Sequence, residues 1–426
     1  MRVAKLVFFL FIVSTAPALA SGQLDQELAA FINQFRIKPL KAPKAVKPEL
    51  YRLGKSLFSE KALSGNKNIS CASCHSPSMG TADGLPLGIG EGANFNHSPI
   101  NQAQGLILKR NTPGLFNIGH ESLKSMFWDR RVMKDHRGGF QSPWKEISGQ
   151  NPQLSHISSL FTHVGEVQAL FPILSPEEML GMPGENEIAS LPSNELIAEK
   201  LTERILNITR YKELFKKAFP QTPIEKINIG HIAKAIFAFE KKEFSVTNTP
   251  WDQYLRGDTE AISVSEKKGA KIFFNKGLCI RCHFTSTFGG LGAANVAVPQ
   301  VSTSASAIDK GQCFGTSGEH CYRFKVPMLR NVKLTAPYMH NGAYQTLKEV
   351  IDHYNDTSYS LNSFDITKLN QKYQDSYKDR IFTHDDPQIH EETWKQSHPL
   401  AKTKLNLTEE EKKDLLAFLE ESLTQK

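Results

Sequence analysis

The sequence predicts a mainly α-helical protein, built as two similar helical domains with long loops. Three observations predict this. The unit Cys-x-x-Cys-His occurs twice, at residues 71–75 and 279–283, and takes four of the six cysteines. A short helical stretch with Gly-x-x-x-Phe precedes each copy. Gly54 and Phe58 carry it in "LYRLGKSLFSEKALSGNKNISCASCH", and Gly269 and Phe273 in "SEKKGAKIFFNKGLCIRCH". The clearest apolar patterns elsewhere have the helical period, not the alternation of strands. A repeated supersecondary unit marks a repeated domain.

The first element is a leader. "MRVAKLVFFLFIVSTAPALASG" has Arg2 and Lys5, then an apolar run, then small residues at Ala18 and Ala20. This is the pattern of a secretory signal peptide over residues 1–20, cleaved near Ala20. The apolar run is shorter than the ~18 residues a membrane span needs. The expected product is an exported, periplasmic protein with no stable membrane insertion. Loss of Arg2 and Lys5 takes the formal charge from +7 to about +5. With no dense Lys/Arg stripe, nucleic acid is not an expected partner.

The two Cys-x-x-Cys-His units read as covalent attachment sites for haem c. Two thiols bond the haem vinyl groups, and the adjacent histidine is held under the iron as its proximal ligand. Cys71, Cys74 and His75 would hold one haem, and Cys279, Cys282 and His283 the other. A single zinc shared by both pairs needs no histidine after each pair. A thioredoxin-like pair needs a βαβ setting, and neither site has one. Two haem attachment loops, each behind the same short helix, imply two cytochrome-c-like domains. Cys313 and Cys321 flank "CFGTSGEHC"; a local disulfide is the expectation in an oxidising compartment, with metal binding beside His320 as the alternative.

The other elements follow in order. Residues 193–219 have a helical pattern. In "TPIEKINIGHIAKAIFAFEKKEF" Thr222 is the expected cap and Pro223 the first helical residue. The apolar positions there are 229, 232, 233, 236 and 237, and His231 reads as structural. "LTEEEKKDLLAFLEESL" has a capping box from Thr408 to Glu411, with Leu415, Leu416, Phe418, Leu419 and Leu423 on its apolar face. Segments 78–110, 286–325 and 356–405 are rich in Gly, Ser, Asn, Asp and Pro and read as loops wrapped around cofactor. The expected domains are 21–250 and 251–426, and the last helix could pack back on the first domain.

The chain resembles the bacterial di-haem cytochrome c peroxidase and MauG family over nearly its whole mature length. Besides the haem motifs, the resemblance rests on "RNTPGLFNIGHESLKSMFWDRR", "VQALFPILSPEEM" and "FKVPMLRNVKLTAPYMHNGAYQTLKEVIDHY". It implies peroxide reacting at the N-terminal haem and electron transfer at the C-terminal haem. Gln168 and Glu178 match the family's polar pair above the peroxide haem. A carboxylate with an amide neighbour can move the proton that peroxide cleavage requires. Trp128 matches the tryptophan between the haems. Asn111, Thr335 and Pro337 match ligands of a calcium ion between the domains, and hard oxygen donors suit that ion.

Two departures are informative. The family's peroxidases have a histidine sixteen residues after the first proximal histidine, which caps the peroxide haem at rest. Here that position is Glu91, with His97 as a substitute only through a loop shift. Seventeen residues after Pro337, where those peroxidases have an axial methionine, this chain has Tyr354, as MauG-type proteins do; Met339 is the nearest methionine. A tyrosinate ligand favours ferric and higher states, whereas methionine raises the potential. Trp128 and Gln168 are forty residues apart here rather than ten, so 129–165 contains an insertion without an assigned role. His136, His156 and His163 near it read as ordinary polar residues.

The reading is therefore an exported di-haem peroxidase using hydrogen peroxide. It takes electrons from a small donor protein, or from a side chain of a protein substrate in the MauG-like case. The rival is a di-haem electron carrier without catalysis, which leaves Gln168 and Glu178 unexplained and predicts no rapid reaction with peroxide.

Overall fold

The computed structural model describes residues 16–93, 105–144, 155–304, 307–313, 321–370, 373, 375–383 and 386–426. It is mainly helical. The Gly-x-x-x-Phe echo is one helix crossing made twice. In the first core, the Pro48–Phe58 helix crosses Ile229–Glu243. A Cβ on Gly54 would lie 1.9 Å from the Ala235 carbonyl oxygen and 2.9 Å from Phe239 Cβ. In the second, Val264–Phe274 crosses Glu409–Ala417. There a Cβ on Gly269 would lie 2.0 Å from Asp414 O and 2.8 Å from Phe418 Cβ. Only glycine lets two backbones approach this closely. Phe58 and Phe273 are buried in their respective cores.

Local capping sets the helix ends. Thr408 and Glu411 form the expected capping box. The 193–219 stretch forms two helices, Asn194–Leu206, capped by Ser193, and Thr209–Ala218. The next helix starts later than Thr222 and Pro223 suggest. Those residues lead into a 3-10 turn, Ile224–Lys226, and Asn228 caps Ile229–Glu243 by accepting from Gly230 N at 3.0 Å. An asparagine cap is as good as a threonine one, and Asn228 adjoins the buried stripe. His231 completes that capping box, a structural role.

Two placements differ from the sequence expectation. The last helix packs chiefly on Val264–Phe274, in the second core, rather than back on the first. The first helix, Ala16–Phe35, also packs on Val264–Phe274. Asp25 pairs with Lys267 at 2.9 Å and accepts from Tyr254 Oη at 2.8 Å, and Phe31 stacks on Phe274. The amino-terminal stretch thus belongs to the core formed mostly by the second half of the chain.

Segment 356–405 is not simply loop. It contains the helices Thr357–Asn362, Ile366–Asn370, Asp375–Lys378 and Pro387–Lys395. Asp356 and Asp386 cap two of them. Leu361, Leu369, Tyr373, Tyr377 and Ile381 are among the buried residues of this polar stretch. With Leu85, Leu87 and Ile89 from the first half, the last four of these form a third core. Tyr377 Oη binds both the N–H and the carbonyl of Leu87, at 2.9 and 2.7 Å. Arg110 adds a second tie between the halves, with Asp129 at 2.6 Å and Asp309 at 2.5 Å. The pairing holds the Asp309 carboxyl down at about 2, although burial opposes it.

The insertion forms part of a small antiparallel sheet of Ser125–Met126, Val132–Lys134 and Phe140–Gln141. Cys313 and Cys321 are joined by a disulfide, as expected; His320 lies outside the described residues. Among the described residues, no helix is long and apolar enough to cross a membrane.

Candidate functional site

Ser70 caps a single helical turn, Cys71–Cys74, which places both thiols beside His75. His75 Nδ1 lies 2.9 Å from the Thr81 carbonyl oxygen. A carbonyl only accepts, so Nδ1 carries the proton and the Nε2 lone pair is left for a metal. Thr81 reaches this position through a left-handed backbone, φ 60°, after Gly80 at 67°. The second site repeats the device. His283 Nδ1 lies 2.7 Å from the carbonyl of Phe288, whose φ is 54°. Burial lowers the pKa of both histidines and so favours their neutral, ligating form. All four cysteines of the motifs are free thiols, partly exposed.

A cavity of about 800 Å³ opens over the first loop, lined by Cys71, Cys74 and His75. That is near the upper end of ~300–1,000 Å³ for cofactor sites. Its walls carry cations with unused donors. Lys325 Nζ has no hydrogen bond or ion pair among the described residues. Arg330 binds Asp252 at 3.0 Å through Nη2, leaving Nε and Nη1 buried and unpaired. Free thiols, a committed histidine and unused cationic donors fit a haem, which brings vinyl groups, iron and carboxylates.

Gln168, at the end of the Val164–Gln168 helix, and Glu178, in the turn Pro176–Leu180, line this same cavity. Burial pushes the Glu178 carboxyl above its ordinary pKa, opposed by Arg131 and aided by Glu177. A carboxyl that can hold or release a proton therefore shares the cavity with His75. Arg131 lies 3.6 Å over the Phe127 ring and pairs with Asp129. Trp128 spans the halves. Its indole donates to Asn111 O at 2.9 Å, and its carbonyl accepts from Lys325 N at 2.7 Å.

Asn111, Thr335 and Pro337 also line the cavity. Asn111 Nδ2 donates to Leu85 O at 2.7 Å, and Thr335 Oγ1 donates to Val332 O at 3.0 Å. Among the described residues, no cluster of three His, Cys, Asp or Glu is arranged for a metal ion.

Tyr354 projects from the Leu347–Asn355 helix against the second core. Its hydroxyl has no hydrogen-bond partner among the described residues. Burial, with Cys282 and Cys279 adding to it, raises its pKa. It is thus a phenol in the free protein, and tyrosinate there would need the charge of a ferric ion. The neighbouring His353 has both ring nitrogens engaged, by Tyr344 Oη at 2.9 Å and Val296 O at 2.9 Å. Met339 lies elsewhere, on the wall of the first cavity.

Glu91 is 5 % exposed and accepts from Asn66 and Asn68 at 2.6 and 2.9 Å. It is not among the residues lining the cavity. Its N–H donates to Glu177 O at 2.9 Å, so this position braces the turn that carries Glu178. His97 lies outside the described residues.

Besides Lys325 and Arg330, two more cavity residues were missed from the sequence. Trp144, from the insertion, packs edge-on to Phe171 at 6.5 Å. A tryptophan in a polar insertion was the available signal. Glu240 lies four residues after Ile236, on the apolar stripe of its helix; a carboxylate there was the signal.

The pattern of the family described as di-haem cytochrome c peroxidase matches residues 48–260. The chain is 28% identical to the methylamine utilization protein MauG of Methylorubrum extorquens, over 81% of each chain. It is 30% identical to the cytochrome c551 peroxidase of Nitrosomonas europaea, covering 79% of this chain and 81% of that one. In fold it is similar to a MauG-like protein associated with microbial copper homeostasis, with TM-score 0.62, 24% identity, and 91% and 94% coverage. The diheme peroxidase BthA from Burkholderia thailandensis gives TM-score 0.59, 20% identity, and 89% and 87% coverage.

Proposed function

Because the chain belongs to the di-haem cytochrome c peroxidase family, oxidoreductases acting on peroxide, we propose that it is an exported, MauG-like peroxidase. Hydrogen peroxide is reduced at the N-terminal haem, and electrons arrive through the C-terminal haem. The observation that carries this reading is the convergence of Gln168 and Glu178 on the cavity of His75.

When bound, two haems would supply iron for peroxide and the capacity to store oxidising equivalents. Cys71, Cys74 and His75 hold the first, and Cys279, Cys282 and His283 the second. Thr81 and Phe288 keep the two imidazoles in the ligating tautomer. Glu178 takes a proton from the near oxygen of peroxide and returns it to the departing oxygen, while the Gln168 amide orients the substrate. Trp128, hydrogen-bonded to both halves, is the electron path between the sites.

Tyr354 would hold the iron of the second haem together with His283. An anionic oxygen donor disfavours ferrous iron, so this site suits storage of an oxidising equivalent better than exchange with an ordinary cytochrome. A protein side chain is then the preferred donor, and a small electron-carrier protein the other. Asn111, Thr335 and Pro337 would hold a calcium ion through neutral oxygens, the last two through their carbonyls. The leader directs the chain to the periplasm.

The test is stopped-flow mixing with hydrogen peroxide. Glu178→Gln should slow the reaction by about 10²–10⁴-fold, the usual worth of a positioned acid–base group. Equal rates for wild type and variant would remove Glu178 from the mechanism.

A further inference from the structure

The helix crossing shared by the two cores allows a position-by-position comparison of their second helices. Gly54 meets Ala235 and Phe239, and Gly269 meets Asp414 and Phe418. Ala235 therefore corresponds to Asp414, and Phe239 to Phe418. The next residue is Leu419 in the second core and Glu240 in the first. Leu419 is buried among apolar side chains, as this position demands. Glu240 is 5 % exposed, lines the first cavity, and has a buried Oε2 without a hydrogen-bond partner.

Leaving a buried carboxyl unpaired is costly unless it stays protonated. Arg131, Lys325 and Arg330 line the same cavity, but among the described residues none of them pairs with Glu240. On its own helix, Lys234 pairs with Glu166 of the Val164–Gln168 helix at 3.5 Å, and Glu243 accepts from Tyr51 of the Pro48–Phe58 helix. Lys241 and Lys242 follow on the same helix, and Lys242 lies over the Tyr51 ring at 4.5 Å. Cys71, which senses the charge of both Glu240 and Glu178, would lose its thiol to the thioether bond. Burial alone pushes the Glu240 carboxyl up to about 8, within reach of ordinary solution pH.

We propose that Glu240 is a proton-storing residue coupled to the oxidation state of the first haem. When that haem accepts one electron from a reductant, the Glu240 carboxylate takes up one proton from solvent; when the electron leaves, the proton leaves with it. The charge change at the iron is then matched inside the cavity. The corresponding Leu419 gives the second site no such group.

This inference rests on the reading that the first site holds haem, so covalent haem content is measured first. Two haems per chain keep both ideas open; fewer contradict the functional reading and this inference with it. Spectroelectrochemical titration of the first haem between pH 6 and 10 is then made on wild type, Glu240→Gln and Glu178→Gln. The potential should fall with rising pH in wild type and in Glu178→Gln, and become flat in Glu240→Gln. A flat wild-type profile overturns the proposal without any variant. A slope that survives in Glu240→Gln, from the haem carboxylates or from Glu178, overturns it as well.

Discussion

Replacing Gly54 with alanine tests the packing on which the first site is built. The added Cβ would stand 1.9 Å from Ala235 O, whereas ordinary contact begins near 3.4 Å, so the helices must part by about 1.5 Å. A gap of even ~0.5–1 Å forfeits a quarter to a half of each dispersion contact. The seam includes Phe58–Phe239 at 5.0 Å and Tyr51–Phe239 at 5.6 Å. Each aromatic pair is worth ~0.5–1.5 kcal/mol, and overpacking strain adds ~1–3 kcal/mol. Alanine recovers up to ~1 kcal/mol of helix propensity. The net loss is about 2–4 kcal/mol, or roughly 5–15 °C in Tm for a domain of this size. The assay is thermal denaturation of the haem-loaded protein at one scan rate, followed by haem absorbance and circular dichroism. Gly269→Ala should cost a similar amount, since its Cβ would stand 2.0 Å from Asp414 O. A Tm within about 2 °C of wild type for either variant would refute the reasoning.

Three further outcomes are expected. Tyr354→Phe should change the absorption and EPR of only one haem and raise its potential, because an anionic ligand is lost; unchanged spectra would exclude Tyr354 as a ligand. Glu240 titrates near 4.5 when unfolded and near 8 when folded, so the folded state holds its proton more tightly. Its contribution makes stability fall between those two pH values, by a few kcal/mol in all, and denaturant unfolding of Glu240→Gln against pH should lack that component. Removing calcium with a chelator should slow peroxide turnover, and added calcium should restore it; turnover indifferent to both would dismiss the interdomain ion.

What the sequence revealed followed from how local the signal was. The Cys-x-x-Cys-His units are complete within five residues each, and their covalent chemistry needs no tertiary context. The Gly54 and Gly269 echo was legible because a close helix crossing requires glycine at one point. The first helix was harder. Its apolar residues say that a face is buried but not that the partner is Val264–Phe274, over two hundred residues later. The helices of 356–405 were missed because each spans at most nine residues and buries few side chains in a polar setting. Asn228 displaced Thr222 as a cap because both are good caps, and only packing chooses between them. Trp144 and Glu240 were overlooked because a haem cavity is assembled by tertiary contact. A carboxylate on an apolar stripe acquires meaning only when the cavity beside it is seen.

The most direct test of an open peroxide site above His75 is low-temperature EPR of the purified ferric protein. One high-spin and one low-spin haem are expected. The first would be ligated by His75 alone, with Glu91 held by Asn66 and Asn68, and the second by His283 and Tyr354. Two low-spin haems would mean that a side chain closes the first iron, and would contradict the account.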